Sequence, residues 1–258
     1  MITPEAPPPR NVLSSDGEWI ATYDFGDPDA PVIMAVHGFA SSGLLNWLNT
    51  GWVRDLLRAG FRVIAIDQRG HGDSAKPHDP AKYTMELLVD DLLAVMDAYM
   101  VNEASVVGYS LGARVGWHAA IELPERITRA VLGGIPDGDP LTRFRVDEAR
   151  DHLASGSAIA DSLTAAYVQL ASGIRGNDLD ALIALVEGMR GGAQPDPANP
   201  PQQPLLFATG SEDSILEKSR ALAAAAPHGS FFEVPGRNHF NAPTSRPFRD
   251  AAIAFLTG

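Results

Sequence analysis

Four short runs are apolar at nearly every position: "PVIMAVHG" (31–38), "FRVIAIDQ" (61–68), "ASVVGYS" (104–110) and "PLLFATG" (204–210). A strand with one wet face alternates apolar and polar residues, whereas a strand covered on both faces does not. Helical patterns separate these runs: "LLNWLNTGWVRDLLRAG" stopping at Gly60, "TMELLVDDLLAVMDAYM", the segment after Ser110, and "SILEKSRALAAAA". "EWIATYDFG", "ITRAVLGGI" and "SFFEVPG" add further strands, and a helix near "FRDAAIAFLTG" closes the chain. This alternation predicts an α/β fold, a mostly parallel, doubly wound sheet with helices on both faces. The first dozen residues read as a Pro-rich tail.

The rhythm changes once. From Asp137 to about Ala193 no strand is expected, and three helical segments follow one another: "PLTRFRVDEARDHLAS", "SAIADSLTAAYVQLAS" and "NDLDALIALVEGMRG". The loop "AQPDPANPPQQP" reads as an extended linker. The expected organisation is a core of residues 1–136 and 204–258, with a helical cap insertion and linker at 137–203. Phe144, Leu163, Tyr167, Leu170, Leu182, Leu185 and Met189 fall at helical spacings there. Some of them are expected to line an apolar pocket, Tyr167 and Met189 among them.

In "SVVGYSLGAR" (105–114), Ser110 stands between Gly108 and Gly112, where an apolar strand meets a helix. So sharp a turn strains its central residue and brings strand and helix close together, which small flanking residues permit. The serine side chain is left projecting from the sheet edge, the geometry of a nucleophile elbow. A serine hydroxyl is a weak nucleophile at neutral pH and needs a base within hydrogen-bond reach.

Topology filters the candidates. In a parallel sheet with right-handed crossovers, all strands end on one edge. The chain has seven histidines. His228 precedes its strand and lies at the wrong edge; His118 is within a helix, His152 in the insertion and His78 in a polar loop. His37, His71 and His239 remain, and His239, in "GRNHFN" after the last strand, is the expected base. An imidazole base needs an acid to fix its tautomer. Asp213 is preferred; Glu212, Asp137 and Asp139 also give the order serine, acid, histidine.

Composition removes other classes. Asp plus Glu number 32 against 20 Lys plus Arg, a formal charge of −12, which disfavours nucleic acid and anionic lipid. No cysteine is present, so disulfides and thiolate chemistry are excluded. "MITPEAPPPRNV" has prolines where a secretion signal would have an apolar core, and no run approaches a membrane span. A cytoplasmic protein acting on a small molecule is expected.

With "HGFAS", "DQRGHGDS", "GYSLG", "GSED" and "GRNHF" in this order, the chain resembles the α/β-hydrolase superfamily, esterase-like and with a helical cap, along nearly its whole length. The resemblance implies Ser110 as nucleophile, His239 as base and Asp213 as acid, with an oxyanion hole from the backbone N–H groups of Phe39 and Leu111. It gives Asp67, Arg69, His71 and Ser74 a bracing role, and His37 a role in its turn. Many relatives carry a glycine where this chain has Ala113. Epoxide hydrolases and haloalkane dehalogenases of similar fold use an aspartate at the elbow, and prolyl aminopeptidase relatives carry Gly-Gly-Pro-Gly where this chain has "GFAS". The resemblance therefore implies hydrolysis of an apolar ester or thioester with no metal or organic cofactor. Perhydrolases, carbon–carbon bond hydrolases and slow-turnover small-molecule receptors reuse the same triad.

Overall fold

The computed structural model describes residues 4–135, 138, 141–174 and 176–258. Asp137, Asp139 and the expected boundary at 136/137 lie outside the described residues. Eight strands form one sheet: β1 (Arg10–Leu13), β2 (Trp19–Phe25), β3 (Val32–Val36), β4 (Arg62–Ile66), β5 (Ala104–Tyr109), β6 (Ile127–Gly133), β7 (Leu205–Gly210) and β8 (Gly229–Val234). Their order is β1-β2-β4-β3-β5-β6-β7-β8. β1, β2 and β4 pair antiparallel, and β4 through β8 are parallel. The most apolar runs became the inner strands: β4 and β7 are buried at every residue.

β1 begins within the stretch expected to be a Pro-rich tail. It is a four-residue edge strand in which Val12 alone is buried, too short to show a period. Its formation depends on the antiparallel register with β2, Arg10 opposite Thr22 through Leu13 opposite Trp19.

Among the described residues eight α-helices accompany the sheet: α1 (Trp52–Arg58), α2 (Met85–Ala98), α3 (Leu111–Glu122), α4 (Val146–Ser155), α5 (Ser162–Gly173), α6 (Leu179–Met189), α7 (Leu216–Ala225) and α8 (Arg246–Thr257). In α2, the Thr84 hydroxyl accepts from Leu87 N–H at 3.3 Å and caps the first turn. Met85, Leu88, Val89, Leu92, Val95 and Met96 form its buried stripe. The single helix expected over residues 44–60 is instead a π-helical turn, Leu44–Leu48, followed by α1. Gly51 at φ 87° breaks it, a left-handed conformation that glycine adopts without a Cβ clash.

Between β6 and β7 the chain makes α4, α5 and α6, which pack on one another. α6 also rests on the 3-10 turn Pro80–Lys82, where Gly188 approaches the Pro80 carbonyl so closely that a Cβ would collide with it. Leu182, Leu185 and Met189 are fully or almost fully buried.

Candidate active site

The site sits at the carboxyl ends of β3, β5, β7 and β8. Ser110 leaves β5 at φ 52° and ψ −111°, a sparsely populated conformation that costs about 1–3 kcal/mol. The two glycines make it attainable. A Cβ on Gly108 would strike the Gly112 carbonyl, and one on Gly112 would strike the Val36 carbonyl at the end of β3. Strand β5, helix α3 and strand β3 therefore meet at backbone contact, and the serine is pushed out between them.

The structure brings together Ser110, His239 and Asp213. Ser110 Oγ is 3.0 Å from His239 Nε2, and His239 Nδ1 is 2.8 Å from Asp213 Oδ2. With Nδ1 protonated against the carboxylate, Nε2 presents its lone pair to the serine hydroxyl. The Asp213 side chain is 2% exposed and that of His239 22%. The second carboxylate oxygen of Asp213 accepts from Ile215 N–H at 3.2 Å, which fixes its plane. Glu212 is exposed, and the carboxylate bonded to His239 Nδ1 is that of Asp213.

The loop carrying His239 is stiffened by groups that sequence reasoning missed. Asn238 Oδ1 accepts from Phe240 N–H (3.0 Å) and Asn241 N–H (3.2 Å), while Asn241 Oδ1 accepts from Asn238 N–H (2.9 Å). Tyr109, next to Ser110, donates its hydroxyl to the His239 carbonyl at 2.6 Å. The paired asparagines in "NHFN" were the available signal, because Asn side chains close turns on neighbouring amides.

Phe39 follows β3 and Leu111 opens α3. The Leu111 N–H, at the first helical position, has no intrahelical acceptor, and the helix N-terminus favours negative charge there. The peptide units on both sides of Phe39 are held: the Gly38 carbonyl accepts from His37 Nδ1 (2.7 Å) and Ala40 N–H donates to His71 Nε2 (3.0 Å). His71 can accept there only as the neutral ring, and complete burial pushes its pKa well down. His37 is likewise buried with a lowered pKa, Nε2 accepting from Gln68 N–H at 3.0 Å. Neither ring is bonded to Ser110.

The "DQRGHGDS" segment braces this edge. Asp67 accepts from Gly43 N–H (2.7 Å) and Asp73 N–H (2.8 Å), and Ser74 Oγ accepts from Ala21 N–H (2.8 Å). The fully buried Arg69 pairs with Asp91 (2.6 Å) and Asp16 (3.0 Å). His228 lies at the opposite edge, its carbonyl accepting from Leu205 N–H at the start of β7. His118 is buried in α3, His152 is in α4, and His78 bonds Asp178 at 3.0 Å at the start of α6.

Above Ser110 lies a cavity of about 600 Å³, and a second of about 240 Å³ adjoins it. Phe144, Leu163, Tyr167 and Leu170 of the inserted segment line one or the other. Met189, Leu182 and Leu185 line neither, because their apolar face is consumed by helix packing. The expectation that Met189 borders the pocket is corrected. Burial and the Asp213 charge push the Tyr167 phenol up to about 12, so it stays protonated across the neutral range. No cluster of His, Cys, Asp and Glu among the described residues could hold a metal ion, and no helix among them is long and apolar enough to cross a membrane.

Comparison with known proteins agrees with this architecture. The family described as alpha/beta hydrolase fold matches residues 31–158. The chain is 35% identical over 124 residues to AB hydrolase superfamily protein YfhM of Bacillus subtilis, covering 48% of this chain and 42% of that protein. It is 37% identical over 129 residues to Epoxide hydrolase B of Mycobacterium tuberculosis, covering 49% and 35% respectively. The chain thus spans less than half the length of either relative. Among solved structures, the enol-lactonase from Burkholderia xenovorans LB400 superposes with a TM-score of 0.80 at 23% identity, over 96% of this chain and 100% of that one. A thermophilic esterase from Thermogutta terrifontis superposes with a TM-score of 0.77 at 22% identity, over 97% and 98%. With its sheet order, its strained serine between β5 and α3 and the match over residues 31–158, the chain has the α/β-hydrolase fold.

Proposed function

We propose that the protein is a serine hydrolase that cleaves carboxylic esters or thioesters through an acyl-enzyme. The observation that carries this reading is the unbroken chain from Ser110 Oγ to His239 Nε2 (3.0 Å) and from His239 Nδ1 to Asp213 (2.8 Å). Ser110 Oγ attacks the carbonyl carbon as its proton passes to His239 Nε2, and Asp213 stabilises the imidazolium. The N–H groups of Phe39 and Leu111 take the developing oxyanion. As the tetrahedral intermediate collapses, His239 returns the proton to the departing alcohol or thiol. Water, deprotonated by His239, then releases the acid and restores Ser110. No metal or organic cofactor enters these steps.

The nucleophile's chemistry weighs against epoxide opening, although a relative carries that name. A serine oxygen adding to an epoxide carbon would leave a dialkyl ether, which has no carbonyl for water to attack, so the enzyme could not turn over. A serine ester has that carbonyl.

The test is fluorophosphonate treatment with intact-mass detection, beside turnover of a generic aryl ester. One adduct and many turnovers are expected. Ser110→Ala should lose the adduct and at least about 10⁴-fold in turnover, since the three residues act as a unit. An adduct that persists in Ser110→Ala rules the reading out. A single burst of product from the wild-type protein would point to a slow-turnover receptor instead.

A further inference from the structure

The space over Ser110 is divided. The larger compartment, about 600 Å³, runs past Leu111 and Ile215; the smaller, about 240 Å³, runs past Leu45 and Thr50. Both are bounded by Phe39, Ser110, Tyr167, His239 and Phe240, so they meet at the reacting atoms. Helix α5 crosses this junction. Leu163, Tyr167 and Leu170 stand at i, i+4 and i+7, one row along a single helix face. Leu163 borders only the larger compartment, Leu170 only the smaller, and Tyr167 both. Seven residues of helix advance about 10 Å, enough to carry one row from one compartment into the other.

The Tyr167 ring is wedged between Phe39 and Phe240, with centroids 5.3 and 5.4 Å away, and is 9% exposed. The lining of the smaller compartment includes Tyr109 and Asn46, at 4% and 6% exposure, which belong to β5 and the π-helical turn. The lining of the larger compartment adds the loop after β7 and residues 141–144 of the inserted segment to Leu111 and Arg114 of α3.

We propose that Tyr167 and Phe240 partition the site, so that the substrate is an ester with one extended substituent on its reacting group and one compact substituent. The compact one occupies the smaller compartment, which Leu170 borders. This rests on the hydrolase reading above. An ester has two arms, acyl and alcohol, and the oxyanion donors and His239 together fix which arm goes where. One arm is therefore length-limited and the other is not.

The experiment measures kcat/KM, by acid release, for methyl esters of lengthening acyl chains and for acetate esters of lengthening alcohols. One series should fall steeply at a defined length, by roughly tenfold or more per added methylene, and the other should not. Leu170→Ala should move that limit to longer chains, Leu170→Val less so, and Leu163→Ala should leave it in place. A limit in both series or in neither, or one that moves with Leu163→Ala and not with Leu170→Ala, overturns the partition. Fluorophosphonate labelling of Ser110 is run alongside and reports that each variant is folded. Absence of both labelling and turnover in the wild-type protein would overturn the hydrolase reading and this proposal with it; labelling and turnover without a one-sided limit would overturn the partition alone.

Discussion

Replacing Asp213 by Asn keeps the side-chain shape and removes only the charge and one acceptor. The surroundings decide how the amide sits. Ile215 N–H donates to Oδ1 at 3.2 Å and needs an acceptor, so the amide oxygen stays there and the NH₂ group takes the position of Oδ2, 2.8 Å from His239 Nδ1. A donor facing Nδ1 forces the imidazole into the other tautomer, with Nδ1 accepting and Nε2 carrying the proton. Nε2–H then faces Ser110 Oγ across 3.0 Å and cannot take its proton. A tautomer error of this kind costs on the order of 10⁴ in turnover, about 5 kcal/mol of barrier at 1.36 kcal/mol per tenfold. The assay is steady-state hydrolysis of an aryl ester, with thermal unfolding to show that the fold survives. Glu212→Gln, on an exposed neighbour in the same loop, should stay within a few-fold of wild type. Asp213→Asn retaining activity within tenfold, or Glu212→Gln showing the large loss, would refute the assignment.

Three further outcomes follow from the contacts. Gly112→Ala should lower stability by about 1–3 kcal/mol or more and slow fluorophosphonate labelling, because its Cβ meets the rigid Val36 carbonyl; an unchanged melting temperature would contradict this. His71→Ala leaves the buried Ala40 N–H without its acceptor, costing about 1–3 kcal/mol, and should reduce ester turnover without abolishing Ser110 labelling; complete loss of labelling in a folded variant would make His71 more than a brace. His118 is pushed down to about 4, chiefly by burial, with Arg114 adding to the effect. The unfolded chain therefore binds this proton first as pH falls, and stability present above about 6.5 is lost progressively toward pH 4, by an order of 3 kcal/mol at most. His118→Phe should flatten the melting temperature across that window, and an unchanged slope would exclude His118 as a source.

The inner strands needed little beyond local sequence. "FRVIAIDQ" and "PLLFATG" are apolar without alternation, and that pattern is stable only where both faces are covered. "GYSLG" was legible for a related reason: two glycines at fixed offsets from a serine answer a steric demand that arises within a few residues, although the carbonyl of Val36 supplies part of it from β3. Edge logic carried His239, since a residue's place relative to its own strand decides which end of a parallel sheet it reaches.

Tertiary structure decided what depends on side-chain direction and on partners distant in sequence. Glu212 and Asp213 share one loop, and only the turn closed by Asp213 N–H on the Gly210 carbonyl, with Ile215 N–H on the carboxylate, aims one of them at His239. β1 exists because β2 offers it a ladder, and Gly51 breaks a continuous helical pattern because the chain must turn there to bring α1 against β4. The inserted helices make the distinction plainest. Tyr167 and Met189 stand on equally apolar faces, yet one lines the space over Ser110 and the other is buried among neighbouring helices. An amphipathic stripe specifies that a face leaves water, and the hydrophobic effect that drives it there has no direction. What the face meets is set by how the helices pack.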